Sequence, residues 1–233
     1  MNKATEAIVK SAEAIFPHRL YESREAFDHV RKAITQIPTG ERATVLKELQ
    51  DMKTGLGSRF GDENWAICVG LFGADASGCA ARAWAIAKEA WSRSADLGAI
   101  CDALRQMSGG LPPLTPEIVS KFDALTQELA GAFARCTNEA ARFAIGVERP
   151  CALVRLLGSC GASAQSAVPS LKKYKSFIAS KRFIQSSMLV LDLDAGSVTP
   201  PPATPVAQVK EALRAIQGPG FFDKIGSIFS GKK

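Results

Sequence analysis

Between Arg149 and Leu191 the chain has no aspartate or glutamate at all. Other scarcities are as informative. Aromatics make up only 7% of the residues, against 46% apolar in total with abundant alanine. Strands favour the β-branched and aromatic side chains that are few here, so the composition points to close-packed helices. There are two histidines, His18 and His29, and neither lies near a cysteine in sequence. The six cysteines (Cys68, Cys79, Cys101, Cys136, Cys151, Cys160) form no C-x-x-C pair. A zinc site is therefore not expected, and the thiols read as small apolar core residues in a reducing compartment. No window approaches the roughly 18 apolar residues of a membrane-spanning helix. Met1 to Glu6 is mixed and polar, so it is not read as a signal peptide. We expect a cytoplasmic protein or a component of a virion-like assembly, not a secreted one.

Enzyme motifs are equally thin. Gly55, Gly57 and Gly61 miss the dinucleotide-binding spacing, and no phosphate-binding G-x-x-x-x-G-K-[ST] run occurs. Gly158-Ser159-Cys160-Gly161 puts a thiol in a small-residue turn, but its base would have to be a distant histidine. A buried structural cysteine is the simpler account. The Asp62-Glu63 pair is explained as charge at a helix N-terminus. No cofactor and no catalytic residue is expected, and the chain reads as non-enzymatic.

What the chain does have is helical periodicity. Lys3 to Phe16 reads as a helix stopped by Pro17. Phe27, Val30, Ile34 and Ile37 recur at steps of 3, 4 and 3 in a helix capped by Ser23 and stopped by Pro38. Thr39 is the expected cap of a third helix and Asp62 that of a fourth, with Trp65, Cys68, Val69 and Phe72 on one face. A fifth helix, from about Ser77 to Ser92, is alanine-rich with Trp84 and Trp91, and a sixth starts near Ser94. Ser108 to Pro113 is the clearest interior break. Thr115-Pro116-Glu117 then opens a long helix that extends towards Phe143 past a weak point at Thr137-Asn138. A short helix follows Pro150, and Pro169-Ser170 opens another. Leu189 to Asp194 alternates like a strand but has no evident partner, and reads as a helix end or extended packing.

The expected architecture is all-α and bundle-like, with residues 1–107 and 114–194 as two helical lobes. A proline-rich linker follows over 195–205, then an amphipathic C-terminal arm over 206–233. The arm has two parts, a short helix from Val206 to Ile216 and, after Gly218-Pro219-Gly220, a terminal peptide. In that peptide Phe221, Phe222, Ile225, Ile228 and Phe229 share a helical face. Thirteen residues do not hold a helix alone in water, so this face must be covered by its own chain, a partner or a membrane interface.

The acid-free window carries Arg149, Arg155, Lys172, Lys173, Lys175, Lys181 and Arg182, more than the chain's entire formal excess of +6. Within it, Leu171 to Phe183 alternates cations with aromatics on a helical pattern. Lysine and arginine neutralise phosphates, and Tyr174 or Phe183 would stack on unpaired bases. A plain amphipathic helix explains the same residues with Leu171, Tyr174, Phe177 and Ile178 buried. The length of the window favours a polyanion, and we expect a nucleic acid, with RNA the expected form. The functional expectation is a non-enzymatic, self-associating nucleic-acid-binding protein of the nucleoprotein or coat type. Its basic segment would hold phosphates while its arm contacts a neighbouring subunit. Helical nucleoproteins with exchanged arms are an architectural analogy, not a family match. The alternative is an adaptor or cargo protein whose terminal peptide docks on a partner protein, a shell or a membrane surface. Ile225-Gly226-Ser227-Ile228 resembles, over four residues, tail peptides that load cargo into protein shells.

Overall fold

The computed structural model describes residues 1–13, 24–52, 54, 60–91, 97–138, 142, 144–180, 190–192, 197–199 and 204–218. Among these the fold is all-α, with one small hairpin. Two compact units divide the chain. The first comprises Met1–Leu111 with Leu189–Pro201, the second Pro112–Met188 with Pro202–Lys233. None of the described helices is long and apolar enough to cross a membrane.

In the first unit, α1 (Lys3–Glu13) starts where the Asn2 side chain accepts a hydrogen bond from the Ala4 N–H at 2.9 Å. Its buried stripe is Thr5, Ile8 and Ala12. Glu48 of α3 (Thr39–Asp51) holds this helix by accepting from the Thr5 hydroxyl at 2.6 Å and the Asn2 N–H at 2.8 Å. Those donors, Thr5 first, hold the Glu48 carboxyl below its ordinary range. Between them runs α2 (Arg24–Thr35), which buries Val30 and Ile34, with Ile37 just beyond it. Thr39 was the expected cap of α3, but the helix already includes it, and Pro38 takes the cap position without a side-chain bond.

The centre of this unit is α4 (Asp62–Gly70), buried from Asn64 to Gly70. So enclosed a helix must satisfy its polar side chains internally. Asn64 donates to the Ala12 carbonyl at 3.2 Å, and the Trp65 indole N–H donates to the Leu49 carbonyl at 2.7 Å. Asp62, expected as a cap, instead accepts a hydrogen bond from Thr54, while Gly61 sits at the cap position. Gly70 lets α6 (Leu97–Gln106) approach closely: a Cβ there would lie 2.6 Å from that of Ala103. The first turn expected of the fifth helix is a 3-10 segment, Gly73–Cys79, and α5 proper spans Ala80–Ala90. Alanines 80, 83, 87 and 90 line its buried side with Trp84.

The strand-like run near Leu191 does have a partner. β1 (Val190–Asp192) pairs antiparallel with β2 (Ser197–Thr199), setting Val190 opposite Thr199 and Asp192 opposite Ser197. Of the two readings of that run, helix end or extended packing, this overturns the first. It also places the start of the expected proline spacer in a ladder, where Val198 and Thr199 supply β-branched residues suited to a strand.

In the second unit, α7 (Thr115–Arg135) buries Ile118, Val119, Phe122, Thr126 and Leu129. It ends at Arg135, two residues before the weak point expected at Thr137-Asn138, and Cys136 is already extended. A π-helical turn, Ala144–Glu148, leads into α8 (Arg149–Ser159), which is buried from Pro150 to Leu157 except at Arg155. A 3-10 segment, Gly161–Ala167, connects α8 to α9 (Val168–Ala179). Finally α10 (Pro205–Gln217) is capped by Thr204, whose hydroxyl accepts from the Ala207 N–H at 3.3 Å. It is terminated by Gly218 at φ +78°, a conformation suited to glycine. The sequence grouped this helix with the arm. Here its apolar face of Val209, Ala212, Leu213 and Ile216 is buried, and it packs on α8. Gly158 allows that contact, since a Cβ would meet the Ala212 Cα at 3.2 Å. The terminal peptide with Phe221, Phe222, Ile225, Ile228 and Phe229 lies outside the described residues.

Candidate nucleic-acid interface

Formal charge divides unevenly between the units. The second holds fifteen Lys and Arg against seven Asp and Glu, a formal +8; the first holds fourteen against sixteen, a formal −2. The acid-free window thus lies mostly within a unit that is basic as a whole.

On α9 the helical period separates two faces. Val168, Leu171, Tyr174 and Ile178 are buried. Lys172, Lys173 and Ser176 are exposed, while Lys175 and Phe177 are half-buried. The lysines therefore stand where a polyanion can reach them, and Pro169 in the first turn starts the helix at no cost in hydrogen bonds.

Tyr174 does not share that position. It is 1% exposed, so it is not available to stack on a base, and that part of the expectation is corrected. Its hydroxyl donates to the Gly146 carbonyl at 3.0 Å and lies 3.4 Å from the Cys151 sulfur. Its ring meets Phe122 edge-on, with centroids 5.9 Å apart. The reason is amphipathicity: Tyr174 follows Leu171 by three residues and precedes Ile178 by four, which fixes it on the core side. Burial pushes the Tyr174 phenol well above its ordinary value and the Cys151 thiol up to about 11. Both are core groups held neutral.

The two arginines of α8 are half-buried. Arg155 donates to the buried Gln208 side chain of α10 at 3.2 Å, a tie between helices. Arg149 stands at the start of α8 beside Glu148 in sequence. Lys181, Arg182 and Phe183 lie outside the described residues. Of the expected set, the structure gathers Lys172, Lys173 and Lys175 on one helix, turns Tyr174 inward and engages Arg155 with Gln208.

Sequence reasoning missed an aromatic pair in the same unit. Phe177, which the plain amphipathic alternative would bury, is half-buried and meets Phe133 of α7 edge-on, with centroids 5.5 Å apart. Phe133 is half-buried as well, and the Arg142 guanidinium lies 5.8 Å from its ring centre. Arg142 is held there by an Nε–H bond to the Cys136 carbonyl at 3.0 Å. The spacing of Phe177 from Tyr174 and Ile178 gives one signal, since it falls at the border of the buried stripe.

The thiol of the Gly158–Gly161 turn, Cys160, is half-buried, and burial raises its pKa despite a hydrogen bond with Thr115. A raised thiol is the opposite of what a nucleophile needs. Among the described residues no three His, Cys, Asp or Glu side chains are grouped to hold a metal ion. No family model, curated protein or solved structure matches this chain.

Proposed function

We propose that the protein is a non-enzymatic, self-associating nucleic-acid-binding protein of the nucleoprotein or coat type. The observation that carries this reading is the exposure of Lys172 and Lys173 on a unit of formal charge +8. Lysines on such a surface neutralise phosphates and release the counterions condensed on them, a mode that carries no sequence information of its own. Lys175 lies on the same helix, Arg149 starts α8, and Lys181 and Arg182 continue the basic run in sequence. RNA is the form we put forward. Self-association rests on the terminal peptide, whose five large apolar residues recur at helical spacing in the sequence and need a cover.

The test begins with protein purified without nuclease, whose absorbance ratio reports bound nucleic acid. Binding to a labelled oligonucleotide is then followed over a salt series. The expected result is a linear fall of log affinity with log salt. Absent binding, or binding indifferent to salt, overturns the reading. Deleting residues 221–233 is expected to change the oligomer size. An unchanged size with lost binding to a partner or to vesicles would instead favour an adaptor whose tail docks elsewhere.

A further inference from the structure

We infer that the outer face of α9 grips the phosphodiester backbone without reading bases, so that it ranks nucleic acids by charge density and holds a duplex at least as tightly as a single strand. The inference rests on the proposed binding function and names how that site selects its substrate.

The exposed residues of this face are Lys172, Lys173, Ser176 and Ala179, with Ser180 just past the helix end. Among the described residues the ammonium groups of Lys172 and Lys173 meet no hydrogen-bond or ion-pair partner, and α9 carries no acid. Both charges are therefore free for a ligand. The hydroxyls are not. Ser176 donates to the Lys172 carbonyl at 3.1 Å and Ser180 to the Phe177 carbonyl at 2.7 Å. Each keeps only acceptor lone pairs for an outside group, and those do not bind phosphate oxygens. The donors of the face are thus two point charges on flexible stems, which suit phosphate oxygens in many orientations.

Base recognition needs other parts. A base edge is read most firmly by the forked side chains of Arg, Asn and Gln, and a base face by an open aromatic ring. The sequence of α9 contains none of those forks. Its tyrosine is turned into the core, with the hydroxyl bonded to the Gly146 carbonyl. Among the described residues of the second unit no large apolar side chain is exposed. What the face offers is charge on a unit of formal +8. Charge alone separates polyanions by how densely their phosphates are packed. A duplex carries one charge per about 1.7 Å of its axis, and each phosphate neutralised on it releases more condensed counterion than on a single strand. For two lysines the salt slopes are about 1.8 and 1.4, which at 0.1 M salt favours the duplex about two- to threefold.

The test compares four probes with the full-length chain over a salt series: unstructured U20, an abasic 20-mer of the same charge, a 20-base-pair duplex, and vesicles containing phosphatidylserine at matched charge. Wild type should bind the abasic strand within about threefold of U20, and the duplex at least as tightly as either. Lys172→Ala with Lys173→Ala should lower the slope by about 1.4 on both single strands and about 1.8 on the duplex. An abasic strand bound more than about threefold weaker than U20, or a duplex bound more weakly than U20, overturns the base-blind grip while the phosphate-binding function stands. An unchanged slope in the double variant removes the grip from α9 and overturns the inference as well. Tighter binding to vesicles than to any oligonucleotide, or no oligonucleotide binding at all, overturns the binding function itself. Unchanged far-ultraviolet circular dichroism for the double variant separates lost charge from misfolding.

Discussion

Arg82 in the first unit and Lys172 and Lys173 in the second put their charges to opposite uses. In the first, Arg82 of α5 turns inward: it donates to the Gln50 carbonyl at 2.9 Å, the Met52 carbonyl at 3.1 Å and the Thr54 hydroxyl at 2.7 Å. Its guanidinium lies 3.9 Å from the centre of the Trp65 ring. Here a charge closes the C-terminal end of α3, whose last carbonyls have no partner within the helix. In the second unit, Lys172 and Lys173 stand on the outer face of α9. The difference teaches that sequence charge is not surface charge. A cation turns inward where orphan carbonyls and an aromatic face lie within reach, and outward where its helix offers only a solvated side.

That contrast can be broken at its strongest point. Arg82→Ala leaves three acceptors without their donor and uncovers Trp65, and it should destabilise the first unit by about 2–4 kcal/mol. All three tryptophans, Trp65, Trp84 and Trp91, belong to that unit, so urea unfolding followed by tryptophan fluorescence reads it selectively. A loss below about 0.5 kcal/mol would show that the network is surface ornament.

In the second unit the corresponding internal polar group is Tyr174. Tyr174→Phe removes one buried hydroxyl and leaves the Gly146 carbonyl unpaired, at a cost of about 1–2 kcal/mol. The same groups make this unit sensitive to alkali. Phenol and thiol are raised in the folded state, so their stabilising effect is complete below the unfolded thiol value of about 8.5 and is lost as pH rises towards about 11. Tyrosinate absorbance should rise in two steps, the later one coinciding with loss of near-ultraviolet dichroism. A single early step would place the Tyr174 hydroxyl in water.

Gly158→Ala is a smaller probe, because its Cβ meets Ala212 at distances a slight shift relieves. We expect a loss of about 1 kcal/mol or less, seen as a small fall in the unfolding midpoint. The least effect on stability belongs to Lys172→Ala with Lys173→Ala, within about 0.5 kcal/mol. Their effect on binding is the reverse: the salt slope should fall by about 1.4 for a single strand. If the double variant unfolds readily but binds with an unchanged slope, the assignment of opposite uses collapses.

The helices were legible in the sequence because their apolar residues repeat every three or four positions with proline or glycine between them. Val30, Ile34 and Ile37 are buried as their spacing predicts, and so are Leu171 and Ile178. The hairpin was not legible, since three residues per strand give too short an alternation to register. The caps were partly misread: Thr39 and Asp62 are typical capping residues, yet the helices began at them. The basic helix was legible, but not which of its aromatics sits at the edge of the core. Tyr174 and Phe177 are three residues apart, and only the packing of α7 against α9 decides that one enters the core and the other stays at its edge. The inward turn of Arg82 had no sequence signal, because its acceptors lie some thirty residues earlier, on another helix.

Neither unit is a contiguous stretch of chain, and this governs the order in which they can be completed. The first must wait for residues 189–201 and the second for α10. As the polypeptide leaves the ribosome, six helices of the first unit emerge long before the hairpin that belongs with them. Until α10 follows, the face of α8 that it covers stays bare. Both units therefore close only after residues beyond Met188 have emerged, and a chain cut short there would lose an element from each at once.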